Sequence, residues 1–150
     1  MKIIVQRCDD AKVDIDNKTV GSIGKGMMLL VGFTEGDNST NIDYMIDKVI
    51  NLRIFDDENG IMNKSLLDIN GSILSISQFT LYGNPYEGNR PSYVKALSGD
   101  ESVKLYEKFN DKLNQIVPTK SGIFGADMKI DFINDGPVTI IIDTDEKNRK

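Results

Sequence analysis

The segment Ser77-Gln78-Phe79-Thr80 sets two hydroxyls and a carboxamide around one aromatic ring. It closes a largely apolar run, Ser72 to Leu81, that reads as a central strand. Polar groups buried in such a strand need hydrogen-bond partners. A polar cluster at a strand end, beside the Gly/Pro-rich loop Gly83 to Tyr93, suits a site. On these residues alone, satisfied core hydroxyls and amides are the commoner reading. A second candidate is Asn134-Asp135-Gly136-Pro137, between strand-like runs at Lys129 to Ile133 and Val138 to Ile142. Asp-Gly between two strands is first of all a hairpin signal, with proline opening the next strand. Its special feature would be a cis bond, which only about 5–6% of X-Pro bonds adopt. Arg7 ends the first strand, where an anchoring salt bridge is the default. Cys8 reads as an inert small hydrophobe. Gly21 to Gly26 lacks the spacing and the following helix of a phosphate-binding loop.

What is missing narrows the chemistry further. The chain has no histidine, so imidazole bases, Ser-His or Cys-His pairs and histidine metal ligands are excluded. One cysteine cannot build an internal disulfide or a multi-cysteine zinc site. Twenty-three acidic residues leave an oxygen-ligand magnesium site open. Catalysis is left to hydroxyls, carboxylates, lysine, arginine, backbone groups or the substrate itself. A net charge of −5 argues against general nucleic-acid binding, though not against gripping a single RNA end. Lys104, Lys108 and Lys112 form a helical stripe, but Glu107 and Asp111 interleave with it, as on a solvated face. No apolar run approaches membrane-spanning length, and Met1 to Val5 meets charge too early for a secretory signal. A cytosolic protein is therefore expected.

The elements that must position these residues are legible in outline. Lys2 to Cys8, Lys12 to Asp16 and Thr19 to Ile23 form a β meander with a turn at Asp16-Asn17-Lys18. Gly26 to Phe33 is apolar throughout, as in a strand buried on both faces. Asp37 to Thr40 offers N-cap chemistry for a helix burying Ile42, Met45, Ile46, Val49 and Ile50. Asp56 to Gly60 is a surface turn. Ser98 and Glu101 predict a capping box for a second helix, with Val103, Tyr106, Phe109, Leu113 and Ile116 inward and Pro118 just past its end. The expectation is one mixed α/β domain over residues 1–150. It has a curved, mainly antiparallel sheet or half-barrel and two flanking helices. Charge-rich Asp143 to Lys150 reads as a tail, frayed from about residue 144.

Taken together, Ser77-Gln78-Phe79-Thr80-Leu81 and Asn134-Asp135-Gly136-Pro137-Val138-Thr139 resemble the two signatures of D-aminoacyl-tRNA deacylases. The likeness covers nearly the whole chain. It includes Gln6-Arg7, Arg53-Ile54-Phe55, Met62-Asn63, Gly88 with Arg90-Pro91-Ser92, and Gly122 to Met128. The resemblance implies hydrolysis of the ester between a D-amino acid and tRNA, without metal or cofactor, as chiral proofreading that also reaches glycyl-tRNA. It implies a homodimer with each site at the subunit interface. Gly136-Pro137, held cis, would enter the neighbour's pocket and offer its carbonyls to the α-amino group. Arg7 would brace that motif, with Asn134, Val138 and Thr139 beside it. Thr80, Ser77, Gln78 and Phe79 would line the scissile ester, and Phe124 to Met128 would shape the pocket for the terminal adenosine. The 2′-hydroxyl of that adenosine would stand in for the missing base. Three departures are visible: Tyr93 replaces a usual phenylalanine, Ser121 a common threonine, and Asn84-Pro85-Tyr86-Glu87 lacks the basic residues many members carry there. A non-catalytic RNA-end binding module is the competing reading.

Overall fold

The computed structural model describes residues 1–148. It opens with strands β1 (Lys2–Ile15), β2 (Lys18–Ile23) and β3 (Gly26–Gly32). The first turn holds Asp16 and Asn17 at φ 50° and 62°, a left-handed geometry that these short polar residues tolerate. Helix α1 (Ser39–Asn51) begins at Asn38, whose side chain accepts from Thr40 N at 2.9 Å while Asn41 returns a bond to Asn38 N at 3.0 Å. Its buried face is the predicted one, Ile42, Met45, Ile46, Val49 and Ile50. Each such side chain contributes about 1.5–3 kcal/mol on leaving water. A small hairpin of β4 (Phe55–Asp56) and β5 (Met62–Lys64) comes next. It is followed by β6 (Ser72–Ser77), a 3₁₀ turn (Phe79–Tyr82), helix α2 (Gly99–Asn114), β7 (Thr119–Ser121) and β8 (Lys129–Asp143).

The main sheet runs β2-β1-β3-β6-β7, with β8 antiparallel along β1. The pairs β3/β6 and β6/β7 are parallel, because α1 and α2 serve as the crossovers between them. Helices α1 and α2 pack on one face over Ile3, Val5, Met27, Leu29, Val31 and Ile73. The other face curls around a second cluster of Cys8, Val13, Met28, Leu74 and Ile76. There the sheet nearly closes on itself: a Cβ built on Gly21 of β2 would lie 3.2 Å from the Ser121 carbonyl of β7. Lys108 and Lys112 do not form a free stripe, since Lys108 Nζ donates to Ser39 Oγ and Lys112 Nζ meets Asp43 Oδ1 at 2.6 Å.

Several expectations need correction. The first two strand segments are one strand, β1. The strand predicted to reach Leu81 stops at Ser77. Gln78 N still donates to Val31 O (2.8 Å), but β3 ends one residue later and the chain coils into the 3₁₀ turn. Lys129 to Ile133 and Val138 to Ile142 are not the arms of a hairpin. Both pair with β1, so they are one strand with an insertion at its middle. Ser98 does sit at the N-cap of α2, but its hydroxyl donates to Glu101 (3.1 Å) and caps no backbone N–H. Ile116 lies past the end of α2 and is half exposed, with Val117 buried in its stead. Thr144 is buried, donating from its N–H to Met1 O (3.0 Å), so the chain is still tied down where fraying was expected. Residues 149–150 of that tail lie outside the described residues.

Among the glycines the closest approach is at Gly26, where any Cβ would overlap the Ser72 carbonyl oxygen. Gly26→Ala should therefore cost about 3 kcal/mol or more of unfolding free energy in urea titrations, because backbone cannot yield as a side chain can. Gly24→Ala, with no atom within 4 Å, should stay within about 0.5 kcal/mol. Equal losses at the two positions would contradict this packing.

Candidate active site

Two constellations emerge from the predicted residues. The first is a cleft of about 280 Å³ at the end of β6. One wall is Ser77, Gln78 and Phe79; the other is Phe124, Gly125, Ala126 and Met128, with Ile76 and Ile130 completing the lining. The opposite wall turns at Gly125, whose φ of +80° is costly for any residue with a Cβ. Met128 lies over bare Gly122, where a Cβ would overlap its sulfur. Thr80 does not line the cleft itself. It stands exposed beside the rim, and the Gln78 side-chain amide donates to its hydroxyl. The two walls are joined from behind. The Ser75 carbonyl accepts from Tyr106 Oη at 2.7 Å and from Gly122 N at 3.2 Å, and the Tyr106 ring contacts Phe124 at 6.0 Å between centroids. Burial raises the Tyr106 phenol above its ordinary value, so it serves as a donor at neutral pH.

The second constellation is the insertion in β8. Gln6 pairs with Thr139 and Cys8 with Asn134, so Arg7 alone faces the four residues Asp135 to Val138. These bulge outward, with the Gly136-Pro137 bond cis and both residues exposed. Arg7, only 7% exposed, holds the bulge from below. Its Nε meets the Asp135 carbonyl and Asp135 Oδ2, each at 3.2 Å. A terminal nitrogen donates to Ile54 O at 2.8 Å and approaches Asp56 Oδ1 at 3.4 Å. Gly136 has φ +121°, and a Cβ there would come within 3.0 Å of the guanidinium, so glycine is required twice over. Asn134 spans the base of the bulge. With its amide nitrogen toward Arg7 O (3.0 Å) and Val138 O (3.2 Å), its oxygen accepts from Thr139 Oγ1 and Gln6 Nε2, both at 3.3 Å. In the reverse orientation its nitrogen would face the Gln6 amide donor, and its oxygen would face the Arg7 and Val138 carbonyls with one 3.3 Å bond from Val138 N. Val138 packs back onto the main core.

Within one chain the two constellations stay apart. Arg7 is level with Met27 of β3, whereas Ser77 is level with Val31. Those four residues are roughly 13 Å along the strands, and the part of β8 that lines the cleft, Ile130, lies before the bulge in the strand. Sequence reasoning named Arg7 but not its partners Asp135, Asp56 and the Ile54 carbonyl, because side-chain reach across 47 or more positions leaves no local trace. Tyr106 was legible as a core aromatic, while its hydroxyl role was not. Cys8 is buried, as expected of a small hydrophobe, and burial pushes its thiol up to about 11.

The protein is thus a small mixed α/β domain whose candidate site offers hydroxyls, amides and backbone groups rather than imidazole. The chain belongs to the D-Tyr-tRNA(Tyr) deacylase family, whose model matches residues 4–143. It is 52% identical to a D-aminoacyl-tRNA deacylase of Clostridium acetobutylicum over 145 residues, 96% of this chain and 97% of that one. A solved structure of the c-Myc DNA Unwinding Element Binding Protein superposes with a TM-score of 0.91 at 35% identity, covering 96% of this chain and 99% of that chain. A probable eukaryotic D-amino acid tRNA deacylase shares the fold with a TM-score of 0.81 at 18% identity, covering 94% and 97%.

If Arg7 secures the bulge through its buried bonds, Arg7→Lys should cost about 2–3 kcal/mol in urea unfolding, since lysine cannot reproduce the fork. Asp56→Asn, at a half-exposed carboxylate, should cost under about 1 kcal/mol. A larger loss at Asp56 would place the anchor there instead.

Proposed function

We propose that the protein carries out the reaction of its family as a homodimer, hydrolysing the ester of D-aminoacyl-tRNA to free D-amino acid and tRNA. The observation that carries this reading is the exposed, Arg7-braced Gly136-Pro137 bulge, which has no part in the Ser77–Phe79 cleft of its own chain. A two-fold axis would bring the bulge of one subunit to the cleft of the other and make two equivalent sites.

In this arrangement the terminal adenosine occupies the cleft beside Phe124 and Met128. The ester lies at Ser77-Gln78-Phe79-Thr80. The first N–H groups of the 3₁₀ turn, those of Phe79 and Thr80, have no partner inside the turn and suit the oxyanion of a tetrahedral intermediate. Water attacks the ester carbonyl, the 3′-oxygen leaves, and the neighbouring 2′-hydroxyl of the same ribose relays the proton that no histidine is present to carry. The Gly136 and Pro137 carbonyls of the partner subunit receive the α-ammonium. With amine and ester both fixed, an L side chain meets the wall formed by the bulge, Asn134, Val138 and Thr139. A D side chain points away, and glycine passes because it has nothing to clash. Such orientation suffices for an ester that is already activated. The setting is cytoplasmic proofreading of translation; among the described residues no helix is long and apolar enough to cross a membrane.

One substrate series tests the reading. D-Tyrosyl-tRNA should turn over repeatedly, glycyl-tRNA should turn over as well, and L-tyrosyl-tRNA should survive. D-Tyrosyl-tRNA ending in 2′-deoxyadenosine should lose turnover. Binding without release of D-tyrosine would make the protein an RNA-end binder, and undiminished hydrolysis of the deoxy substrate would remove the 2′-hydroxyl from the mechanism.

A further inference from the structure

Next to the cleft, Phe79 is 55% exposed and Tyr93 41%, and Tyr86, in the same loop as Tyr93, is 91% exposed. Phe79 and Tyr93 touch edge-to-face, with centroids 5.1 Å apart and planes at 70°. Phe79 also lines the cleft, so the aromatic surface begins where the cleft ends. This surface is built rather than loose. Tyr93 lies against bare Gly83, where a Cβ would come within 2.9 Å of its ring. Asn84 and Ser92 exchange two backbone bonds, at 2.7 and 3.0 Å, closing the loop between them into a hairpin, and Tyr86 N donates to Asn84 Oδ1 at 3.0 Å. Glu87 and Arg90 cancel within that hairpin, and the chain as a whole carries −5. Phosphate neutralisation is therefore a poor way for this rim to hold RNA. Stacking is not, because every base has a π-face and needs no cation.

We propose that Tyr93 and the exposed face of Phe79 form a stacking shelf for the two cytidines that precede the terminal adenosine of tRNA. This rests on the assignment of the terminal adenosine to the cleft. The shelf explains how a hairpin with no net charge helps grip a single-stranded RNA end: the 3′ nucleotide enters the cleft, and its neighbours leave across the aromatic rings.

The test compares short ligands with and without the two cytidines. Affinities for uncharged cytidylyl-cytidylyl-adenosine and for adenosine are measured by calorimetry, and KM is measured for the D-tyrosyl esters of both. Wild type should favour the trinucleotide by about tenfold, the change that roughly 1.4 kcal/mol of stacking produces. That gain should persist at high salt. Tyr93→Leu should abolish the gain while the adenosine values stay within about twofold, and Tyr93→Phe should restore it. Absence of a trinucleotide gain in wild type, or a gain retained in Tyr93→Leu, would overturn the shelf. So would a change of oligomeric state in that variant with equal loss on both ligands, which would assign the rings to a second copy of the chain. Binding with the expected gain but no ester hydrolysis would leave the shelf standing and defeat the hydrolytic reading instead.

Discussion

The structure turns on one buried cation. Arg7 sits at the midpoint of the longest pairing in the sheet, where β8 places four residues against its one, and its guanidinium is what those four residues fold around. A buried guanidinium must be matched, and here a carbonyl and a carboxylate of Asp135, the Ile54 carbonyl and Asp56 share that task. The same bonds that satisfy the charge push Gly136 and Pro137 outward. The β4 hairpin is drawn in beside them, because Ile54 and Asp56 supply two of the acceptors. Removing the cation would orphan acceptors on two separate parts of the chain at once.

The cleft at the other end of the sheet follows from a different constraint. Strand β3 ends at Gly32, so β6 loses its partner just after Ser77 and the chain must turn. The polar residues of the signature fall in that turn, half in the sheet and half out. The opposite wall reaches the same place because Gly122 donates to the Ser75 carbonyl, which Tyr106 also holds from α2. The cleft and the bulge therefore belong to one sheet yet are built from different parts of it. In the proposed dimer each would supply what the other lacks, the bulge for the ammonium and the cleft for the ester.

Much of this was legible in the sequence. The strand Gly26 to Phe33 and the helix beginning after Asn38 came straight from apolar run and periodicity, because burial on two faces or on one leaves a local signature. The Ser77 to Thr80 cluster stood out for the same reason, as polar residues where an apolar run should have continued. The bulge did not. Asp-Gly between strand-like runs is the same local signal whether the chain doubles back or merely bows out. Only the partner decides, and here Gln6 and Cys8 lie well over a hundred positions away. The resemblance to deacylases supplied the weight that residue chemistry alone could not give to Gly136-Pro137.

If each site is completed by two chains, mixing disabled subunits should restore activity. One variant carries Thr80→Ala together with Gln78→Ala; the other replaces Gly136 and Pro137 by two alanines. Each alone should be inactive toward D-tyrosyl-tRNA. Co-refolded in equal amounts, half the dimers are mixed and have one intact site of two, so about a quarter of wild-type activity should return. No recovery in mixed dimers shown to have formed, or a fully active monomer, would contradict the account.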